Sequence, residues 1–354
     1  MKNLILLFFL FVFTLPFYAQ TEEYIINDTL AGNINFFSNE EPLNFTLISD
    51  FKKFRKEKYK GKYQPATLIY QINDTLQLEK ELRIKARGEF RRKQCNFPPI
   101  RINWRKTEIV KNEFADYYKM KMVTHCGKGE MYQQYVFKEY LCYKMYNLLT
   151  DTSFRVRLAK IKYVDTGNKK LKETNTFAFF IEDADMMAER LNTIQLKLDN
   201  LDLKDIEPEN RMLVSFFLFM IGNSDWSIPG RHNVKILKSK DFTKSKAYAV
   251  PYDFDFSGIV NTVYAIADEE RLGIKDVKER VYLGVCAKKA DFQPIIKRFN
   301  QHKDDFYHLI ENFEYLNDSN KKEMLNYLNQ FYNLMNKESF YSFYLTTHCK
   351  KYDN

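Results

Sequence analysis

Short stretches in which apolar and polar side chains alternate dominate the first half of the chain. Such alternation is typical of half-buried β-strands, because successive side chains point to opposite faces of a sheet. The runs are Ala66–Ile72, Leu82–Ala86, Pro99–Trp104, Lys119–Val123, Arg155–Tyr163 and Thr176–Ile181. The last two flank a charged turn and predict a hairpin. The pattern therefore predicts a β-rich first half.

Two other stretches carry apolar side chains at the spacing of an α-helix. In Tyr132–Leu149 they form one stripe, whereas Glu209–Ile221 is apolar almost all round and is predicted to be central and buried. Strands at Asn233–Leu237 and Ala247–Pro251 follow the second helix, and from Glu269 onwards the pattern is again helical. The second half is therefore predicted to be mainly helical.

The order of these elements predicts an α+β fold with two lobes. We expect a β-rich N-terminal lobe with one long helix over residues 20–185, and a helical C-terminal lobe with a strand hairpin over residues 186–354. The boundary is placed near Glu182–Arg190. The chain has 31 Phe and 24 Tyr, enough for a large core, and only 11 Gly and 9 Pro, which argues against a disordered chain.

The first 19 residues have the layout of a secretory signal peptide. Lys2 precedes an apolar run from Leu4 to Phe13, and Ala19 stands at the predicted cleavage site. The run is shorter than the roughly 20 apolar residues that a transmembrane helix needs. We therefore predict an exported protein, periplasmic or at the cell surface, with no transmembrane segment after cleavage. An uncleaved N-terminal anchor is the alternative.

The net charge of the chain narrows the range of expected binding partners. The formal net charge of +9 is spread along the chain, which favours anionic ligands such as nucleotides, acidic peptides or anionic glycans. Nucleic acid is not predicted as a partner, because an exported protein rarely meets it.

Five cysteines predict disulfides with at least one unpaired thiol. Cys95–Cys126 is the favoured pair, Cys142 also suits a buried apolar position, and no spacing predicts zinc.

Candidate chemistry concentrates directly after the buried helix. Asp225 lies in the loop that follows it, Asn233 begins one strand and Asp253 follows the next. Because two strands joined by a short turn return side by side, Asn233 and Asp253 are predicted to lie close together. Their oxygens suit Mg²⁺ held with phosphate, and Asp225 would orient and deprotonate an incoming hydroxyl. Asp255 is a candidate for a second metal position.

Each of these carboxylates also has an ordinary structural interpretation. Loop aspartates commonly form turns and cap helices. An Asp-x-Asp pair such as Asp253 and Asp255 also occurs at calcium turns and at nucleotide-sugar sites. The combination of a buried helix, an Asp, an Asn at a strand start and an acidic pair is what favours phosphoryl transfer.

A second constellation lies in the β-rich half. Glu139 is on the apolar stripe of its helix, where a carboxylate needs a cation. Lys121, in preference to Lys119, is predicted to pair with it and to contact nucleotide phosphates. The alternative is a rotated helix with Glu139 in solvent and both lysines on the surface. Arg87 and Gly88 lie in a basic turn that is a candidate cover for phosphates.

From Leu82 to Ser257 the chain resembles the CotH family, the spore-coat-type protein kinases with an atypical kinase fold. The motifs that carry the resemblance are Arg87-Gly88, the helix around Glu139, Gly222–Trp226 with Asn233, and Tyr252–Asp255. The resemblance implies ATP and Mg²⁺ bound in a cleft between two lobes, and transfer to Ser or Thr of a secreted or surface protein.

Carried over by position, the family's residue roles fall on four side chains. Asp225 would be the catalytic aspartate, Asn233 and Asp253 would bind metal, and Asp255 matches the second acidic position. The chain departs from the family after Gly88, where Glu89-Phe90-Arg91-Arg92 stands, and it lacks the lysine common near Pro99. The alternatives are an inactive module of the same fold that binds a surface glycan or protein, and a nucleotide-sugar transferase.

Overall fold

The computed structural model describes residues 36–37, 39–71, 77–104, 119–168, 170–197 and 201–351. The predicted signal peptide at residues 1–19 and Ile72 of the first predicted strand lie outside this part of the chain. Among the helices that are described, none combines the length and apolar character that crossing a membrane requires.

The β-rich half of the described chain forms a closed barrel of seven strands, ordered β1-β2-β3-β4-β5-β7-β6. Neighbouring strands are antiparallel, except that β1 and β6 are parallel. The strands are β1 (Leu43–Ser49), β2 (Gln64–Gln71), β3 (Gln77–Ala86), β4 (Ile100–Asn103), β5 (Lys119–Val123), β6 (Val156–Asp165) and β7 (Lys172–Ile181). The six predicted strands are confirmed in their described residues, and β1 is additional.

The closed barrel is not the typical N-terminal lobe of a kinase. It closes because β1, which lies ahead of every predicted strand, pairs with β2 on one side and with β6 on the other. The inward residues Met120 and Met122 of β5 are fully buried with Phe45, Leu47 and Phe180 in the barrel core. The predicted α+β class is confirmed in its coarse form, whereas the kinase-like architecture stays a prediction.

Helices and a second sheet form the other half of the described chain. The second sheet has the order β10-β9-β8, with β8 (Thr193–Leu196), β9 (Val234–Ser239) and β10 (Ala247–Pro251). The helices are α1 (Phe51–Lys56), α2 (Glu89–Gln94), α3 (Glu130–Leu149), α4 (Ala184–Arg190), α5 (Pro208–Ile221), α6 (Glu269–Leu272), α7 (Gln293–Gln301), α8 (Lys303–Glu311) and α9 (Asp318–Met335). The long helices α3 and α5 confirm the two helical predictions.

Helix α5 lies at the centre of the larger core, as predicted. Glu207 caps its start by accepting the backbone N–H of Asn210 at 2.6 Å, and Pro208 occupies the first turn, where no N–H is needed. Gly222 ends it in the left-handed conformation with φ 67°, which favours glycine. The chain then leaves the core and reaches Asp225.

Asn210 ties α5 to the strand that leads to the acidic pair. Its side chain accepts the backbone N–H of Ala249 at 2.7 Å and donates to the Ala249 carbonyl at 3.2 Å, both in a buried position. We expect Asn210→Ala to lower the free energy of unfolding by about 2 kcal/mol, since both backbone groups lose their partner. Urea unfolding measures this, and Asn326→Ala, at an exposed position of α9, should change stability little.

Two disulfides join distant parts of the described chain. Cys95–Cys126 is confirmed and links the end of α2 to the loop after β5. A second bond, Cys286–Cys349, was not predicted and ties the C-terminal segment to the loop before α7. Cys142 is free and buried in α3, as the apolar interpretation of this residue requires.

Candidate functional site

A cleft of about 410 Å³ lies where helix α2, the loop after α5 and the segment after β10 meet. Six residues singled out in the sequence line it: Arg87, Gly88, Asp225, Asn233, Asp253 and Asp255. They come from three separate parts of the chain. The fold therefore brings together most of the residues predicted to carry chemistry.

Asp225 is held on both sides of its carboxylate. Asn233 Nδ2 donates to the Asp225 carbonyl at 2.8 Å and to Asp225 Oδ2 at 3.0 Å, and His232 Nε2 lies 2.8 Å from Oδ1. The Asn223 side chain accepts the Asp225 backbone N–H at 2.9 Å. The Asp225 side chain is still 40% exposed. It is oriented by its neighbours and open to a ligand.

His232 is a more direct neighbour than the sequence indicates. The sequence does not reveal this contact, because a single histidine in a loop carries no ligand spacing. The contact depends on the turn between Ser227 and His232, whose backbone groups bond to each other at 3.0 and 2.9 Å. That turn returns His232 to Asp225.

Asn233 and Asp253 lie side by side, as the hairpin predicts. The first pair of their strands is Val234 with Pro251, and the Tyr252 N–H donates to the Asn233 carbonyl at 2.9 Å. Both residues have positive φ angles, 51° for Asn233 and 66° for Asp253. Left-handed backbone is uncommon for residues with a side chain, though Asn and Asp tolerate it best. Such conformations cluster at functional sites.

Arg91 forms the centre of a buried ionic cluster behind the cleft. Its Nε donates to Asp255 Oδ2 at 2.6 Å, and its Nη2 donates to Glu139 Oε2 at 2.7 Å and to Asp253 Oδ1 at 3.2 Å. Arg91, Glu139 and Asp255 have side chains 8%, 2% and 5% exposed, whereas Asp253 is 35% exposed. Asp253 therefore connects the cluster to the cleft.

The cluster has more negative than positive charge. Oxygen atoms of Glu139, Asp253 and Asp255 lie within 4.8 Å of one another around the single Arg91 guanidinium. Burial raises the pKa of Glu139 to about 8 and also raises the pKa of Asp255, although Arg91 opposes both shifts. Among the described residues, no group donates to Glu139 Oε1. The cluster therefore favours either a bound proton or a further cation.

The cation that meets Glu139 differs from the prediction. Arg91, not Lys121 or Lys119, is its ion-pair partner. The reason is local: residues 89–93, expected as part of a basic turn, belong instead to helix α2, which directs Arg91 inward. Glu139 itself is buried on α3, so the interpretation of a rotated helix with a solvated carboxylate is wrong. One feature of the sequence pointed to this difference: directly after Gly88 the chain departs from the CotH-family pattern, and Arg91 lies in the segment that departs.

The ammonium group of Lys121 lies close to the rings of Tyr252 and Phe154. Its Nζ is 5.2 Å from the Tyr252 ring centre and 5.8 Å from that of Phe154. Burial, reinforced by the positive charge of Arg87, lowers the pKa of Lys121 to about 7. Lys121 is not among the residues that line the cleft.

The lowered pKa of Lys121 predicts a pH-dependent stability. In the unfolded chain this lysine titrates near pH 10.4, so between about pH 7 and that value the unfolded state binds more protons and stability rises with pH. We expect Lys121→Met to be more stable than the wild type below pH 7, with the difference shrinking as pH rises. Urea unfolding from pH 6 to 9 checks this.

Lys160→Met is the matched control for that pH series, because Lys160 is exposed on β6. It should shift stability by a similar small amount at every pH. A pH-independent difference for Lys121→Met as well would contradict a lowered lysine pKa.

The chain matches no protein-family model, and no curated protein sequence is significantly similar to it. Any functional assignment therefore depends on the chemistry of the cleft.

Proposed function

We propose that this protein is an exported protein kinase of the CotH type, which transfers the γ-phosphate of ATP to a Ser or Thr hydroxyl of a secreted or surface protein. The observation that supports it is the convergence of Asp225, Asn233 and Asp253 in one cleft, backed by the Arg91–Glu139 ion pair. Phosphoryl transfer depends on positioning and charge neutralisation. In this proposal the barrel and the helical half are the two lobes of an atypical kinase fold.

Asp225 is the residue that would receive the acceptor hydroxyl. Its carboxylate is exposed to the cleft, and both oxygens are held in place by Asn233 and His232. A carboxylate with its orientation set in advance aligns the hydroxyl with the phosphate and accepts its proton. His232 would act as a positioning residue, since it contacts Asp225 from the side.

Asp253 and Asn233 would hold Mg²⁺, which supplies positive charge to the β- and γ-phosphates when bound. The donor set fits, because Asn233 and Asp253 both line the cleft and the carboxylates of Glu139, Asp253 and Asp255 outnumber the Arg91 guanidinium between them. Asp255 lines the cleft but is almost completely buried against Arg91. Its main role in this proposal is to hold Arg91, with a second metal position as the alternative.

Positive charge for the phosphates is available in the lining of the same cleft. Arg87 and Lys93 line the cleft together with Arg91, and Gly88 lies between them at a φ of 77°. Arg91 pairs with a helix glutamate and reaches Asp253, the arrangement that a lysine adopts in other kinases. We therefore assign phosphate contact to Arg87 and Arg91, with Lys121 behind them.

The proposal is tested by thermal shift of the purified protein with ATP, with and without Mg²⁺. Stabilisation by ATP that needs Mg²⁺, and that Asp253→Ala abolishes, is the expected result. Asp304→Ala, at an exposed position of α8, should respond like the wild type. A shift with nucleotide sugars alone would favour a transferase. No shift with any nucleotide would leave a non-enzymatic binding module and refute the kinase.

A further inference from the structure

The hairpin of β9 and β10 ends in an exposed loop. The last pair of the two strands is Lys238 with Ala247, and the chain turns back between these residues. Residues 238–246 form this end, which we name the hairpin tip. Every residue from 240 to 246 is exposed. The cleft lies at the other end of the same hairpin, so the proposed kinase chemistry makes no use of the tip.

Phe242 is the most exposed large apolar side chain of the described residues. Its relative exposure is 100%, and the next in rank, Ile266, is 71% exposed. Single apolar residues on a protein surface are common, so exposure alone does not identify a binding site. The conformation of the turn and the charges around Phe242 supply the further observations.

The turn that carries Phe242 is held by hydrogen bonds on both sides of this residue. The Lys244 N–H donates to the Asp241 carbonyl at 3.1 Å, which closes a four-residue turn with Phe242 at its first central position. The Asp241 carboxylate accepts the Thr243 N–H at 3.0 Å and the Thr243 hydroxyl at 2.7 Å. Because the turn is already formed, little backbone freedom is lost when the ring binds a partner.

The hairpin tip is strongly basic. It contains Lys238, Lys240, Lys244 and Lys246 against one acidic residue, Asp241, which gives a net charge of +3. Within the described residues none of these four lysines forms an ion pair. Lys238 and Lys246 donate to backbone carbonyls at 2.6 and 2.8 Å, which leaves their charge uncompensated. The tip therefore attracts an anionic partner.

An apolar ring among lysines matches the layers of an anionic membrane. Charged headgroups lie at the surface of such a leaflet, and apolar acyl chains lie directly below them. An aromatic ring that passes between the headgroups is buried in the apolar layer, while lysine side chains keep their ammonium groups at the headgroup level. A soluble acidic polymer offers the negative charge but nothing that buries the ring. The combination of ring and charge therefore favours a lipid surface.

We propose that the hairpin tip attaches the protein to an anionic lipid surface, with Phe242 inserted among the acyl chains and Lys240 and Lys244 at the lipid phosphates. The paired residues of β9 run from Val234 to Lys238. At about 3.3 Å for each residue, they set the cleft back from the tip by roughly 16 Å. The cleft therefore stays clear of the headgroups.

The test is co-sedimentation of the purified protein with vesicles at pH 7 and about 0.1 M salt. The anionic vesicles contain phosphatidylglycerol and phosphatidylcholine, and the neutral ones contain phosphatidylcholine alone. We expect half-maximal binding to anionic vesicles on the order of 1 mM lipid, since each net charge contributes about fivefold and a partly buried Phe about tenfold. Neutral vesicles should bind at least about 10-fold more weakly. No binding to anionic vesicles, or equal binding to neutral ones, would overturn the proposal.

The contribution of the ring is measured by Phe242→Ala. This variant should bind anionic vesicles about 10-fold more weakly than the wild type, because the apolar surface that enters the acyl layer is removed. Phe343→Ala is the matched control, at a position that is 65% exposed in the C-terminal segment, and it should bind like the wild type. Unchanged binding in Phe242→Ala would contradict insertion of the ring.

The contribution of the charges is measured by Lys240→Gln combined with Lys244→Gln. Loss of two charges at the headgroups should weaken binding to anionic vesicles about 25-fold. Lys297→Gln combined with Lys322→Gln removes the same charge from exposed positions of α7 and α9 and should weaken binding less than about 2-fold. An equal effect of the two pairs would leave only the net charge of the protein and refute a defined attachment point.

Fluorescence shows whether the tip enters the acyl layer. Phe242→Trp places an indole at the tip, whereas the two native tryptophans, Trp104 and Trp226, are 0% and 5% exposed. On anionic vesicles the emission of Phe242→Trp should shift to shorter wavelength and be quenched by brominated acyl chains, and Phe343→Trp should show neither change. Vesicle binding that depends on the lysines without quenching of Phe242→Trp would indicate a site for acidic polymers and overturn the membrane proposal.

Two features of the design keep the result unambiguous. An apolar leader that stays attached is common to all variants, so the differences between variants isolate the hairpin tip. The tip and the cleft have no residue in common. Vesicle binding and Mg²⁺-ATP binding therefore succeed or fail independently.

Discussion

Asp225→Asn is expected to retain Mg²⁺-ATP binding and to lose phosphate transfer by about 1,000-fold, within the range that general-base catalysis contributes. The amide keeps the shape of the carboxylate and an oxygen for the Asn233 side chain to donate to, but it cannot accept the hydroxyl proton. Asp253→Asn should lose both binding and transfer. ATP turnover and the mass of phosphorylated protein measure the transfer, and thermal shift measures the binding.

Comparing Asp225→Asn with Asp253→Asn separates the loss of phosphate transfer from the loss of Mg²⁺-ATP binding. Ser224→Ala, next to Asp225 in the chain, should leave transfer within a few-fold of the wild type. His232→Gln should lower the rate of transfer more than ATP binding, because it removes a side chain that holds Asp225 in place. Full activity in Asp225→Asn would refute its role as the base, even if Mg²⁺-ATP binds.

Arg91→Met is expected to destabilise the protein by about 3–5 kcal/mol, since removing one partner of a buried ion pair leaves uncompensated charge. Glu139 and Asp255 would remain buried without the guanidinium that contacts both. They would then keep protons in the fold, so the folded state binds more protons than the unfolded state and stability should fall as pH rises. Urea unfolding between pH 5 and 8 measures both effects.

Three comparisons identify the cause of that destabilisation. Arg298→Met breaks an exposed pair with Glu209 and should cost less than about 1 kcal/mol. Adding Glu139→Gln and Asp255→Asn to Arg91→Met should recover much of the loss, because the charge is removed. Millimolar Mg²⁺ should stabilise Arg91→Met more than the wild type, since the three carboxylates lie within 4.8 Å. A cost no larger than that of Arg298→Met would rule out a central ionic role.

The local pattern of apolar and polar residues was sufficient to predict most strands and the two long helices. It also predicted that Asn233 and Asp253 lie close together. The alternation of β2 to β7 and the apolar faces of α3 and α5 specify these elements, because a side chain's face follows from its spacing along the chain. Asn233 and Asp253 could be placed together for the same reason, since β9 and β10 are joined by a short connection and their ends must meet. Burial of Glu139 followed from its place on the stripe of α3.

Only the tertiary structure decided how the barrel closes and which cation forms an ion pair with Glu139. Closure depends on parallel pairing of β1 with β6, more than a hundred residues later, and alternation within a strand says nothing about which partner it takes. Arg91 sits on a helix of six residues, too short for a periodic pattern. Its carboxylate partners lie 48, 162 and 164 positions away. Charge pairing between such distant residues is settled by the packing of the whole chain, because a buried charge is costly unless the fold brings an opposite charge into contact with it.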